Sequence, residues 1–337
     1  MSMNKLQIDW VNTVTLTLSH LLAVGAIVYL AVVECSLWTI GLGVVWFACS
    51  GFAITGGYHR LFSHRSYQAH GLVRSFFLLF GAAAVQNSAL RWSADHRRHH
   101  AQTDRDNDPY NAQRGFLWSH VGWVLCKPPH ARDLDQVHDL QADPLVAFQN
   151  RYYVLLAVLM AAIVPACLGL LWGDPIGACL VAGFLRLVVQ WHATFSVNSF
   201  AHILGSQPFS TRNSSRDSFW TAILTLGEGY HNYHHTFQHD YRNGIYWHHY
   251  DPTKWTLWGL NKVGLTSNLR RVPKETIIAR RHKATEERRS LAKGEKAVPI
   301  PTNTEFTEEG FNPANTSEQA VHQTDQVSAD AKTAPLP

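Results

Sequence analysis

Paired cysteines are missing from this sequence. Its five cysteines (Cys35, Cys49, Cys126, Cys167 and Cys179) have no CxxC spacing, and four lie in or beside apolar runs. There cysteine serves as a small hydrophobe, which excludes a disulfide framework and a thiolate metal site. Also missing are a haem-attachment CxxCH, a His-Pro-Gly-Gly haem motif, a dinucleotide fingerprint and an iron–sulfur cysteine set. Any electrons the chain uses must come from a separate protein. No internal repeat is present, and the net charge of +4 is modest. No nucleic-acid partner is expected. The N-terminus does not read as a cleavable signal, because the apolar run after Lys5 and Asp9 is too long for that role.

Long apolar runs are what the sequence has in quantity. Four reach the length of about 20 residues that a bilayer-crossing helix needs: Trp10 to Val33, Ser36 to Tyr58, Tyr152 to Trp172, and Pro175 to beyond Asn198. Glu34-Cys35 and Gly173-Asp174 separate them pairwise, so they form two helical hairpins. Gly71 to Leu90 is a fifth apolar stretch, but it holds Arg74, Gln86 and Asn87 and reads as a partly embedded helix. With four spans, the tight turns at Glu34 and Asp174 share one side and carry no Lys or Arg. The Arg-rich segment 59–151 and the basic stretch 262–292 fall on the other side, which the positive-inside rule makes cytoplasmic together with both termini.

The expected architecture is an all-α integral membrane protein: four transmembrane helices carrying a cytosolic helical cap with a histidine-ligated di-metal site. The expected segments are an N-terminal piece 1–9, a first hairpin 10–58, a first cap segment 59–151, a second hairpin 152–199, a second cap segment 200–292 and a disordered tail 293–337. The tail is polar, contains Pro299, Pro301 and Pro313, and has too few large apolar residues to fold alone. The Arg/Lys cluster from Arg270 to Arg289 either lies along anionic membrane lipid or forms a solvated helix.

The chain carries 20 histidines. A lone histidine is usually structural or exposed, and that reading is given to His20, His70, His120, His130, His138, His192, His239, His248, His249, His282 and His322. Three clusters differ: HRLFSH with His59 and His64, HRRHH with His96, His99 and His100, and HNYHH with His231, His234 and His235. Positions i, i+3 and i+4 share a helix face, so the second and third clusters are each expected to aim three imidazoles at one place. NSFAH adds Asn198 and His202, four apart at the end of the fourth run. Imidazole suits iron, copper and zinc. Nine clustered imidazoles exceed what one ion can use, and two ions with four or five ligands each is the simple arithmetic. Asn198 would be a weak ligand or would hold a metal-bound water. Metal-bound histidines normally give their second ring nitrogen to a carboxylate or carbonyl, and Asp95 and Glu228 are the candidates. Asp104, Asp106 and Asp108 have a spacing like a calcium loop without its later Gly and Glu, and are expected to be cap structure.

HRLFSHRSY, DHRRHH, TDRDNDPY, RGFLWSHVGW, FQNRYY, NSFAH and GEGYHNYHH together resemble the membrane-bound fatty acyl-CoA desaturases of the stearoyl-CoA delta-9 type, over about residues 10–290. NSFAHILG and LGEGYHNYHHTF look more like bacterial members, which points to a bacterial inner membrane. The resemblance implies that two Fe2+ ions are held by His59, His64, His96, His99, His100, His202, His231, His234 and His235, with Asn198 acting through water. Zinc would be an accepted substitute in expressed protein. It implies that Asn87 and Lys127 lie near the pantetheine and phosphates of an acyl-CoA, and that Phe195 stands where animal members have a Trp beside the thioester. That departure leaves CoA, acyl carrier protein and phospholipid open as carriers. It further implies an acyl tunnel between the second and fourth spans, lined by Phe47, Gly51 and Thr55. The expected reaction uses O2 and external electrons from a ferredoxin, rubredoxin or haem carrier with its reductase to place a cis double bond, delta-9, in a saturated chain. A membrane di-iron hydroxylase of alkanes or lipids is the nearest alternative. A metal transporter is disfavoured because the histidines lie at the ends of the spans, and a zinc hydrolase would be distinguished by oxygen independence.

Overall fold

The computed structural model describes residues 7–126 and 134–293. The expected tail lies outside the described residues from 294 onward, and so does Lys127. The chain divides into a unit Met1–Arg288 and a second unit Arg289–Pro337; the site lies in the first. Among the described residues the long elements are all helical, and one short antiparallel pairing joins Gln68–Ala69 to Thr266–Ser267.

Four helices are long and apolar enough to cross a membrane: Trp10–Val32, Leu37–Ser63, Tyr153–Trp172 and Pro175–Ile203. Their outer faces are bare hydrocarbon, with Val11, Leu18, Leu21 and Val24 of the first all more than half exposed. An apolar surface of that extent belongs in lipid. Side chains start these helices: Asp9 accepts from Asn12 N, Ser36 from Trp38 N and Asp174 from Gly177 N. Each such cap contributes about 1 kcal/mol. Asp174 also accepts from Tyr29 Oη at 2.8 Å and Thr39 Oγ1 at 2.6 Å, which ties both hairpins together at their tight-turn end.

Two departures from regular helix matter. Pro165 has no N–H, and its ring crowds the carbonyl four residues back. The third span accordingly widens into a π-helix over Leu159–Ile163. The loosened carbonyls find other neighbours: Trp46 Nε1 donates to Met160 O at 2.8 Å, and the fourth span approaches Ala161 O through Gly183, where a Cβ would stand 2.7 Å from that oxygen. The second departure is at the end of the second span. It continues to Ser63 instead of stopping at Tyr58, because α-helix Leu37–Phe52 runs on into π-helix Ala53–Ser63. His59 therefore sits inside this helix, not after it.

Gly71–Ala83 is a 13-residue apolar helix, too short to cross. Phe77 from it packs edge-on against Phe52, with ring centroids 5.1 Å apart. Arg186 and Trp191 of the fourth span donate to Ala83 O and Ala84 O, which fix its end. Left-handed residues Val85 and Asn87 then turn the chain, and Ser88 caps the helix Ala89–Gln102 that bears the second cluster. The basic segment forms helix Lys274–Ala292, which docks on residues 207–211 through Arg288 to Gln207 O and Thr211 to Glu287.

Candidate metal centre

Nine histidines converge in two groups. One contains His59, His64, His96, His100 and His234, and the other His99, His202, His231 and His235; within each group the ligand atoms lie within 4.8 Å of one another. Each HxxHH cluster is thus divided between the groups, which corrects the expectation that it aims at one place. The cause is helix geometry. At about 100° per residue, positions i and i+4 differ by about 40°, whereas i+3 and i+4 differ by about 100°. His96 and His100 stay together while His99 turns to the other group; His231 and His235 stay together while His234 crosses over.

The five-residue spacing of the first cluster is served by the π-helix. Its wider turn bonds i to i+5, and His64 N donates to His59 O at 3.1 Å. The two rings meet edge-on with centroids 4.8 Å apart. The third cluster rides on a six-residue helix, His231–Thr236, that tertiary bonds hold. Buried Asn232 accepts from Phe209 N and Ser210 N and donates to Ser210 O and Ser215 O. Asp217 accepts from Tyr233 N at 3.0 Å, and Tyr233 Oη donates to Asp240.

Facing Nε2 atoms stand 2.8 Å apart for His64 and His96, 3.0 Å for His59 and His234, and 3.0 Å for His100 and His234. In the second group the separations are 3.2 Å for His99 and His235 and 3.0 Å for His231 and His235. Ligands at right angles around an ion with metal–nitrogen bonds of about 2.1 Å would be about 3.0 Å apart. The outer nitrogens decide what the inner ones can do. His99 Nδ1 lies 2.8 Å from Asp108 Oδ1. His59 Nδ1 lies 2.8 Å from Glu228 Oε2, off the ideal hydrogen-bond line. His202 Nδ1 meets Ser214 Oγ at 2.7 Å, and that hydroxyl donates to Asp104 Oδ1. With the ring protons directed outward, the inner nitrogens present lone pairs. His202 Nε2 is buried with no partner at all. A cation is what such nitrogens lack, and the residues present fit one in each group.

Burial first, and then the mutual repulsion of neighbouring imidazoles, hold His64, His96, His100, His231, His234 and His235 well below the ordinary histidine value. Neutral imidazole is the ligating form. Burial alone would push Glu228 up, but His59 and Arg60 draw it down to about 2. Arg60, only 1% exposed, also bridges to Asp251 and Tyr241 O, so it clamps the end of the second span to the later cap segments.

Other expected residues are placed less simply. Asp95 faces Arg98 at 3.5 Å instead of a ligand ring, because it lies one residue, about 100°, away from His96. Burial raises it to about 6. Asp108 and, through Ser214, Asp104 do take up His99 and His202 of the second group, although they read as cap structure from sequence. Their sequence signal was the acidic run just after HRRHH. Asn198 is half-buried in the same span as His202 and makes no side-chain hydrogen bond among the described residues. Asn87 lines a cleft of about 310 Å³ with Ser88, Arg91, Asn150, Arg151 and Tyr153. Phe195 is buried beside Trp191, Leu187 and Leu16. Thr55 pairs with Thr253 at 2.7 Å and Gly51 abuts Leu226, so both turn to the cap segments; it is Gly43 and Ser50 that face Val181 and Gln190 of the fourth span. Phe47, on the same helix, is half-buried.

Residues 36–264 match the family model described as fatty acid desaturase. A probable acyl-CoA desaturase of Schizosaccharomyces pombe is 48% identical over 241 residues, 71% of this chain and 50% of that protein. Acyl-CoA desaturase 1 of Saccharomyces cerevisiae is 46% identical over 236 residues, 69% of this chain and 46% of that one. Stearoyl-CoA desaturase 4 of Mus musculus is 38% identical over 284 residues, covering 82% and 79%. The chain spans about half the length of the two fungal relatives it matches. The match covers both histidine groups and extends over more than half of the sequence, so this integral membrane chain belongs to the fatty acid desaturase family.

Proposed function

We propose that this protein is an oxygen-dependent fatty acyl desaturase that introduces a cis double bond, delta-9, into a saturated acyl chain presented as acyl-CoA. The observation that carries this reading is the pair of convergent imidazole groups, five and four, at the cap ends of apolar spans in a chain of this family. Two iron ions, one held by each group, would supply the dioxygen chemistry that takes one hydrogen from each of two adjacent methylenes. Asn198 would orient a water there. Two electrons and two protons from outside balance the conversion of O2 to two waters.

The protein's own part is position and exclusion of water. A methylene offers no polar handle, so the site of reaction follows from the distance between headgroup anchor and metal groups. Asn87 and the cationic side chains Arg91 and Arg151 around the 310 Å³ cleft suit an anionic headgroup. Asp108 and the Asp104–Ser214 pair would fix the tautomers of His99 and His202, and Glu228 stands 2.8 Å from His59 Nδ1. Electrons would arrive from a separate ferredoxin, rubredoxin or haem carrier docked on the cap. The cap and termini are assigned to the cytoplasmic side, of a bacterial inner membrane, from the Lys/Arg distribution and the sequence detail of the third cluster. Zinc in a purified sample would not contradict iron, because imidazole accepts both.

The test is expression in a host unable to make unsaturated lipid, with mass spectrometry of double-bond position. Delta-9 alkenes from the wild type and none from His100→Ala are expected. Hydroxy fatty acids without alkenes would overturn desaturation in favour of hydroxylation.

A further inference from the structure

The segment 216–231, which leads into the third histidine cluster, carries an inverted pattern. In its helix Phe219–Leu224 the polar Thr221 is buried, while Phe219, Trp220, Ile223 and Leu224 are exposed, Trp220 by 75%. A helix lying against water turns its apolar stripe inward. No charged residue occurs between Ser218 and Gly227. This is a surface made for something other than water.

Its partners fix its level in the bilayer. Arg216 N donates to Ala201 O at 2.7 Å, so the descending arm starts beside Ala201. At about 1.5 Å per residue, Ala201 stands roughly 39 Å along the fourth span from Pro175. That is beyond a hydrocarbon layer of about 30 Å. The tip lies lower. Leu226 reaches Gly51, where a Cβ would stand 2.6 Å from its Cδ1. Gly51 is about 21 Å along the second span from Leu37, which is inside that layer, and any tilt of the span sets it deeper. The returning arm closes on the descending one. Asp217 pairs with Tyr230, Ser218 N donates to Gly229 O at 2.9 Å, and His231 N donates to Arg216 O at 3.2 Å. A Cβ at Gly229 would collide with Ala222 N, so glycine is what lets the arms lie this close. The segment goes in and comes back on one side of the bilayer.

The backbone suits that setting. Lipid offers no partner to N–H and C=O groups, so irregular chain survives at membrane depth only where the protein itself bonds it. Here Ala222 N donates to Ser218 O, Thr225 N to Thr221 O, Gly227 N to Ala222 O and Glu228 N to Thr225 O. Thr225 Oγ1 donates inward to Thr221 O at 2.7 Å. The exposed face also continues that of the fourth span: Ile203 and Leu204 are exposed, and just after them Ser206 pairs with Asp217 at the head of the loop.

We propose that residues 216–231 form a re-entrant loop in the cap-side leaflet, where phospholipid acyl chains cover Phe219, Trp220, Ile223 and Leu224 and steady the arm that runs into His231. The occupant is lipid because the face carries no charge, continues a lipid-facing span and has its tip within the hydrocarbon. The inference needs only a chain that spans a bilayer, so it stands or falls independently of the desaturase reading.

The experiment uses the full chain in phosphatidylcholine nanodiscs. Phosphatidylcholine with a diazirine partway along one acyl chain is photolysed in the disc. Trypsin then releases Asp217–Arg242 as one peptide, because no Lys or Arg lies between. Mass spectrometry should find the lipid adduct on residues 219–224. Tryptophan fluorescence gives a second reading. The difference between wild type and Trp220→Phe isolates one of the 12 tryptophans. Phosphatidylcholine brominated along its chains should quench that signal, and aqueous iodide should not. Quenching by iodide, with no adduct on the peptide, would put the face in water and overturn the insertion. Protection from both quenchers would mean a protein cover, such as a second copy of this chain, and would overturn it equally. The link to the third cluster is read separately. Ile223→Asp, which sets a charge on the lipid face, should lose metal to a chelator several-fold faster than wild type, and Ile223→Leu should match wild type. Equal rates in all three would overturn the steadying of His231 by lipid.

Discussion

The nine convergent histidines and the series of His20, His192 and His120 use the same side chain to opposite ends. In the first set one nitrogen serves several neighbours: His234 Nε2 lies 3.0 Å from both His59 and His100. In the second set one ring serves its neighbours from opposite nitrogens. Convergence brings ring nitrogens to one place, where they suit a cation. The series sets each ring between two partners and offers no common point for a cation. The difference lies in what holds the far nitrogen. Carboxylates Glu228 and Asp108 back His59 and His99, whereas carbonyls and a hydroxyl terminate the series.

The largest effect should come from His234→Ala, because it removes a nitrogen shared between neighbours in the five-histidine group. Elemental analysis should find one ion per chain instead of two. Desaturation should fall on the order of a thousandfold, a barrier increase of about 4 kcal/mol. Full metal occupancy in this variant would break the idea of convergence. His192→Phe is the matching control: it should leave both ions bound, and loss of metal there would erase the distinction between the two sets.

Asp108→Asn comes next. Losing the carboxylate behind a ligand histidine typically lowers metal affinity about 10- to 100-fold, and competition with a chelator should read a loss of that size. Asp95→Asn should change affinity little, because Asp95 partners Arg98 and no ligand ring. Equal losses in the two variants would mean that proximity in sequence to the HRRHH cluster matters more than the contact itself.

That pair of aspartates also marks how far the sequence could be read. The four spans, the nine histidines and Glu228 were legible because apolar length and i, i+3, i+4 spacing are local signals. The division of each cluster between two groups was equally local in principle. It follows from 100° per residue, yet it becomes visible only when a second helix supplies the other half of each group. Asp108 was not legible. Its approach to His99 depends on the loop 103–111 folding back, where Asp108 accepts from Asp104 N and Tyr110 N. The π-helix was hidden for a related reason: nothing in AITGGYHRLFS departs from α-helix except the five-residue gap between His59 and His64 that it accommodates. His20, His120 and His192 read as lone residues in the sequence, since 172 positions separate the first from the last.

The last effect concerns stability, not activity, and follows from pH and the short helix that carries the third cluster. Burial raises Asp217 to about 7 against the backbone N–H bonds that oppose it. A carboxyl with a raised folded value binds its proton more readily in the folded chain, so its contribution weakens as pH rises from about 4 to about 7. The ligand histidines act in the other sense. Their lowered values mean that the unfolded chain binds more protons below about pH 6.5, so stability rises with pH through that region. Asp217→Asn keeps an oxygen for Tyr233 N and removes the titration. Thermal unfolding of metal-free wild type and variant, measured side by side, cancels the histidine contribution common to both. The variant should gain on the wild type as pH rises across the window, by at most about 4 kcal/mol at 1.36 kcal/mol per unit. A constant difference would mean that Asp217 is ionised throughout, and that helix His231–Thr236 is anchored by a carboxylate rather than by a buried acid.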